Sequence, residues 1–177
     1  MKRSTRRTLT LVAVVGVVVL AWNYLSLQRH ASQVISQDPR NDGIKLRTHY
    51  QWLINPRVLV FDLRQVSGEN SPADVTRILL QFAERKKDAT FDRVVLSYKG
   101  TSKFYLEGFY FQNLGVEYEF QNPVYTLRTL PENVYELNGS PAFGTWTGGW
   151  IGVVGQQMED LNELHARWYL FEMTEEL

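Results

Sequence analysis

The chain of 177 residues has no cysteine. Disulfides, thiolate metal sites and lipid attachment through an N-terminal cysteine are therefore excluded. Its three histidines, His30, His49 and His165, are far apart and form no local ligand or proton-relay motif. There is no phosphate-cradling Gly-x-x-x-x-Gly-Lys-Ser/Thr loop, no His-Glu-x-x-His and no Gly-x-Ser-x-Gly elbow. The dinucleotide pattern Gly-x-Gly-x-x-Gly does not occur either. No catalytic residue, metal ligand or cofactor is assigned on these grounds. Excess positive charge is lacking beyond the N-terminus: residues 57–177 hold 11 Lys and Arg against 17 Asp and Glu, a net of −6. Nucleic acid, which wants a basic patch or stripe, is not an expected partner. Electrostatic adhesion of this part to an anionic membrane surface is not expected either.

What is present begins at the N-terminus. Lys2, Arg3, Arg6 and Arg7 precede a run from Thr8 to Gln28 that carries no charge. Its centre, Leu9 to Leu20, is Leu, Val, Ala and Gly with one Thr, and Trp22 and Tyr24 follow where an aromatic belt meets lipid headgroups. A helix rises about 1.5 Å per residue, so roughly 20 residues cross a hydrocarbon core of about 30 Å. The positive flank is expected to place the short N-terminus in the cytoplasm, with everything from about Arg29 onward outside it. The alternative is a signal peptide cleaved after Val19-Leu20-Ala21, but the apolar character continues through Trp22, Tyr24, Leu25 and Leu27. The expected division is a basic flank and transmembrane signal anchor over 1–28, a linker over 29–56, and one domain over 57–177.

The domain reads as α+β. Val58 to Phe61 is a buried-strand run. Ser71-Pro72 and Asp74 cap a helix whose Val75, Ile78, Leu79 and Phe82 form one apolar stripe. Arg93 to Tyr98 and Lys103 to Leu106 read as a hairpin joined by Lys99-Gly100-Thr101-Ser102. A second helix is expected from Phe109 to Tyr118, interrupted near Gly115. Asn122-Pro123 then breaks the chain, and Val124 to Leu130 reads as a strand. Gln156 to Phe171 is the last helix, with Leu161, Leu164, Trp168 and Phe171 as its stripe. The expected order is β-α-β-β-α-β-α, helices on a small mixed sheet.

Two segments are candidates for function. In the first, Tyr118, Gln121, Asn122 and Tyr125 surround Arg128, the only Lys or Arg between Lys103 and Arg167. A guanidinium isolated in this way forks onto a carboxylate, here Glu107, Glu119 or Glu132, or clamps the anionic group of a ligand. In the second, Gly144 to Gly155 holds five glycines and two tryptophans. Gly144, Gly148 and Gly152 are spaced by four, as at helix contacts in membranes. Trp146, Gly148, Gly149 and Trp150 there form either core or an apolar contact surface for a partner. The acidic cluster Glu159, Asp160 and Glu163 with His165 reads as a solvated helix face, since a metal would need ligands from other elements.

The stretch from Val94 to Tyr169 resembles uncharacterised bacterial signal-anchored envelope proteins, through Gln121-Asn122-Pro123-Val124-Tyr125, Arg128 and Thr145-Trp146-Thr147-Gly148-Gly149. The resemblance implies an envelope location and no activity. The function expected is a single-pass, membrane-tethered, non-catalytic binding or assembly domain whose partner is an envelope or inner-membrane protein. The alternative is a small-ligand-binding or enzymatic domain using the Arg128 region. Topology is tested by a reporter active only outside the cytoplasm, fused after Leu177. We expect activity together with an intact Met1 end. A mature chain starting at Trp22 would make the protein secreted, and an inactive reporter would reverse the orientation.

Overall fold

The computed structural model describes residues 2–175, with the side chains of 2–7 and of 123 left aside. The outer limits of the expected anchor and domain, Met1 and Leu177, lie outside the described residues. Helix α1 (Lys2–Asn23) passes through a π-helical turn (Tyr24–Gln28) into α2 (Arg29–Gln37). Thr8–Gln37 is thus one continuous helix of 30 residues, long and apolar enough to cross a membrane. Strands β1 (Lys45–Gln51) and β2 (Asn55–Gln65) follow, then α3 (Pro72–Arg85), β3 (Arg93–Tyr98) and β4 (Thr101–Glu107). After these come α4 (Gly108–Glu117), α5 (Pro123–Thr129), β5 (Val134–Glu136) and α6 (Trp150–His165). A second π-helical turn (Ala166–Leu170) leads into α7 (Phe171–Glu175).

The fold is α+β with one mixed sheet of five strands in the order β1-β2-β3-β4-β5. Only β2 and β3 are parallel, joined through α3, and the other neighbours are antiparallel. Strand alternation divides the sheet into two faces. Leu59, Phe61 and Leu63 of β2, Val94 and Leu96 of β3, and Phe104 and Leu106 of β4 point into the core. Against them pack Val34 of α2, Ile78, Leu79 and Phe82 of α3, Phe111 and Leu114 of α4, and Leu164 and Trp168 from the last helical segment. Phe61 contacts both Phe82 and Trp168, with ring centroids 5.8 and 6.1 Å apart. The indole N–H of Trp168 donates to the Ser97 carbonyl, so this buried ring also satisfies its polar atom.

Several elements differ from expectation. Residues 29–56 are not a free linker: Ala31 and Val34 are core residues, and β1 pairs with β2 along its length. Polar alternation hid β1, because a half-buried edge strand alternates Leu46 and Thr48 inward with Lys45 and Arg47 outward. Val124 to Leu130 is not a strand but helix α5 and its C-cap. Asn122 accepts from the Val124 amide at 2.9 Å and Pro123 stands at the first helical position, the chemistry that also starts α3 at Ser71-Pro72. The observed order therefore departs from β-α-β-β-α-β-α. Nor does Gly115 interrupt α4. It is buried, and a Cβ there would stand 2.2 Å from the Ala83 carbonyl oxygen, so glycine is what lets α4 lie against α3. Phe171, expected in the last apolar stripe, is exposed, while Leu170 and Met173 pack on the core. The π-helical turn just before it adds a residue to the turn and rotates the stripe.

Both sheet edges are occupied. On the β1 edge, Asn23 Oδ1 accepts from the Tyr50 amide at 2.9 Å and Gln28 Oε1 from the Thr48 amide at 2.7 Å. Gln28 Nε2 also donates to the Leu46 carbonyl at 3.1 Å. On the β5 edge the chain folds back: the Glu136 amide donates to the Ser140 carbonyl and the Ala142 amide to the Val134 carbonyl.

His165 is fully buried, with Nε2 3.0 Å from the Thr76 hydroxyl and Nδ1 unpartnered. Burial pushes its pKa down from 6.5 to about 4. The unfolded chain then binds a proton that the native protein does not, so this contribution is complete above pH 6.5 and is lost as pH falls toward 4. We expect the unfolding free energy measured by urea denaturation to decline between pH 7 and pH 4.5 by up to about 3 kcal/mol from this residue. His165→Gln should flatten that part of the profile, and an unchanged slope would reassign it.

Candidate functional site

The two candidate segments form two separate surfaces. Around α5, Asn122 is used up as a helix cap, and Tyr118, Gln121 and Tyr125 line cavities. One cavity of about 290 Å³ is bounded by Arg40, Arg77, Leu80, Leu114, Tyr118 and Gln121. Another of about 290 Å³ has a more polar wall, with Tyr110, Asn113, Glu117, Tyr125 and Glu132, and Gln121 borders both. Burial raises the Tyr110 hydroxyl above its ordinary pKa, so Tyr110 stays neutral.

Arg128 borders neither cavity. Its guanidinium lies 6.0 Å from the Tyr125 ring centroid, and its Nε is buried without a partner. The expected carboxylate fork does not form among the described residues. Glu132 instead accepts from Gln157 at 2.7 Å. The guanidiniums that face the cavity shared by Tyr118 and Gln121 are Arg40 and Arg77, which stand about 80 and 40 residues upstream of Gln121 and share no local sequence pattern with it. Both are already matched, Arg40 to Asp38 at 2.7 Å and Arg77 to Asp74 at 2.7 Å. The hydrogen bond from Arg40 holds the Asp38 carboxyl far below its ordinary pKa. This rim is charge-balanced, and an arriving anion would have to displace a carboxylate.

The Gly/Trp segment is open. Trp150 is 76% and Ile151 82% exposed, on the first turn of α6. Trp146 is 38% exposed and donates its indole N–H to Asp160 at 2.6 Å. Neither ring is core, which removes the core-filling alternative. A Cβ built on Gly148, Gly149, Gly152 or Gly155 would meet nothing within 4 Å. A shallow cavity of about 210 Å³ runs between Trp146, Thr147, Gly149, Gly152 and Gln156. The four-residue glycine spacing does not produce a helix face, because Gly144 and Gly148 precede α6 and Gly148 has φ 135°. The acidic cluster is also dispersed: Asp160 holds Trp146, Glu163 lies 3.6 Å from Arg167, and His165 turns inward. Among the described residues no group of three His, Asp or Glu is placed to hold a metal ion.

No protein-family model, curated protein or solved structure matches the chain. The site is therefore read from its own chemistry.

The missing ion pair makes Arg128 separable from the core. We expect Arg128→Ala to change unfolding free energy by less than about 1 kcal/mol, against about 3–5 kcal/mol for Trp168→Ala. Urea denaturation of both variants measures this. A loss at Arg128 as large as that of a broken buried ion pair would mean that it has a partner after all.

Proposed function

We propose that the protein is a single-pass, membrane-tethered binding or assembly component of a bacterial envelope, non-catalytic, with its domain on the periplasmic side of the inner membrane. The observation that carries this reading is the exposure of Trp150 and Ile151 beside glycines that leave open space. Tryptophan is enriched among the residues that carry interface binding energy, and glycines let a second backbone come close. The partner is an envelope or inner-membrane protein that covers this indole. Tethering by the apolar N-terminal helix would hold the domain within reach of such partners and raise their effective concentration. The resemblance to signal-anchored envelope proteins points to the same location. A second reading, a small-ligand site, rests on the cavity beside Tyr118 and Gln121. Its apolar walls and balanced rim suit a neutral, apolar ligand better than an anion.

Affinity purification in mild detergent from native membranes separates the two readings. The binding reading expects a stoichiometric protein partner that Trp150→Ala weakens by about 2 kcal/mol or more, roughly 30-fold in Kd. A monomer that purifies alone would overturn it. Partner binding unaffected by Trp150→Ala would move the interface elsewhere.

A further inference from the structure

The β1–β2 hairpin tip, Gln51-Trp52-Leu53-Ile54, sits against the end of the apolar helix. Asn23 Nδ2 donates to the Leu53 carbonyl at 2.7 Å, and Trp22 packs against Tyr50 at a tilt, with ring centroids 4.5 Å apart. The tip exposes two large apolar side chains, Trp52 at 76% and Ile54 at 64%. Its backbone is costly: Trp52 and Leu53 have φ of 51° and 67°, the left-handed region that hairpin turns normally fill with Asn and Gly. Leu53 is half-buried, whereas Trp52, kept in such a turn with its side chain in solvent, contributes nothing to the core. Strain of this kind clusters where the side chains are needed.

We propose that this hairpin tip docks into the lipid interface of the membrane that the helix crosses, with Trp52 and Ile54 inserted at the headgroup–acyl boundary. The inference rests on the reading of α1 as a membrane span. Continuity with that helix identifies the occupant as lipid. Asn23 and Trp22 stand at the end of the apolar run, and the tip is hydrogen-bonded to that level of the helix. Trp is the residue enriched at this depth. From Arg29 onward the chain holds 15 Lys and Arg against 19 Asp and Glu, a net of −4, so no net attraction to an anionic surface holds the domain and an apolar contact is the one that fixes its pose. Helix and hairpin together make two attachment points, and the domain stands on the membrane in one orientation.

The absence of cysteine makes single-site labelling direct. The full chain is reconstituted in phosphatidylcholine vesicles carrying shallow or deep nitroxide-labelled lipids. An environment-sensitive fluorophore is placed at Ile54→Cys, Trp52→Cys, Leu11→Cys or Glu69→Cys. Glu69 lies past the far end of β2, on the order of 35 Å from Ile54 at about 3.3 Å per residue. We expect blue-shifted emission at 54 and 52, quenched by the shallow lipid at a depth of roughly 5–10 Å. Position 11 should be quenched by the deep lipid, and position 69 by neither. Quenching at 11 with 54 and 52 behaving like 69 would overturn the docking and leave the span intact. No quenching at 11 would overturn the span and the docking with it.

Discussion

Two carboxamides, Asn23 and Gln28, tie the apolar N-terminal helix to the sheet. Each presents its oxygen to a β1 amide, and each also donates to a backbone carbonyl of the β1–β2 hairpin. In an ideal α-helix, residues five apart point about 140° away from each other. The π-helical turn Tyr24–Gln28, with its i→i+5 bonding, brings them onto one side. A local irregularity in the helix thus matches its side chains to the pitch of a β-strand. Ala31 and Val34 continue the contact as hydrophobic packing, so the apolar N-terminal helix runs on into the domain core as one continuous helix.

This coupling gives the molecule an axis. β1 and β2 run between the helix end and the far turn around Gly43, α3 returns antiparallel beside α2, and the side-chain network Asp38, Asn41, Arg77 and Gln81 locks the far end. The candidate surfaces are displaced from this spine. Of the cavities near Gln121, one is built where α4 and α5 meet α3 and the other between α4 and α5, and the Trp150 surface projects from the start of α6. A rigid spine with exposed surfaces at its flank suits a component that must present a contact at a fixed place.

Some of this was legible in the sequence because the signals were local. The Ser71 capping box, the α3 stripe, the β3–β4 hairpin and the long apolar helix all depend on neighbours within a few residues. What was not legible depends on tertiary partners. Asn122-Pro123 carries the same start signal as Ser71-Pro72, yet it follows a helix and so reads as a break. The apolar residues after it alternate for only a few positions, and the buried pair is Thr126 and Leu130, a helical spacing. β1 was hidden by its polar outer face, and neither π-helical turn has a sequence signature. At the candidate site, the openness of the Gly/Trp segment was foreseen as an alternative. The Arg128 fork was not realised, because Glu132 is claimed by Gln157 from a helix 25 residues further on.

The two sheet edges carry a consequence for how anything can attach. Exposed strand edges invite a foreign chain to add as a further strand, in recognition and in aggregation alike. Here the Thr48 and Tyr50 amides of β1 are held by Gln28 and Asn23, and the Glu136 amide and Val134 carbonyl of β5 by residues 140–142. A strand added along either edge would first have to break these bonds. Side-chain contact, where shape and apolar fit select the guest, carries no such cost.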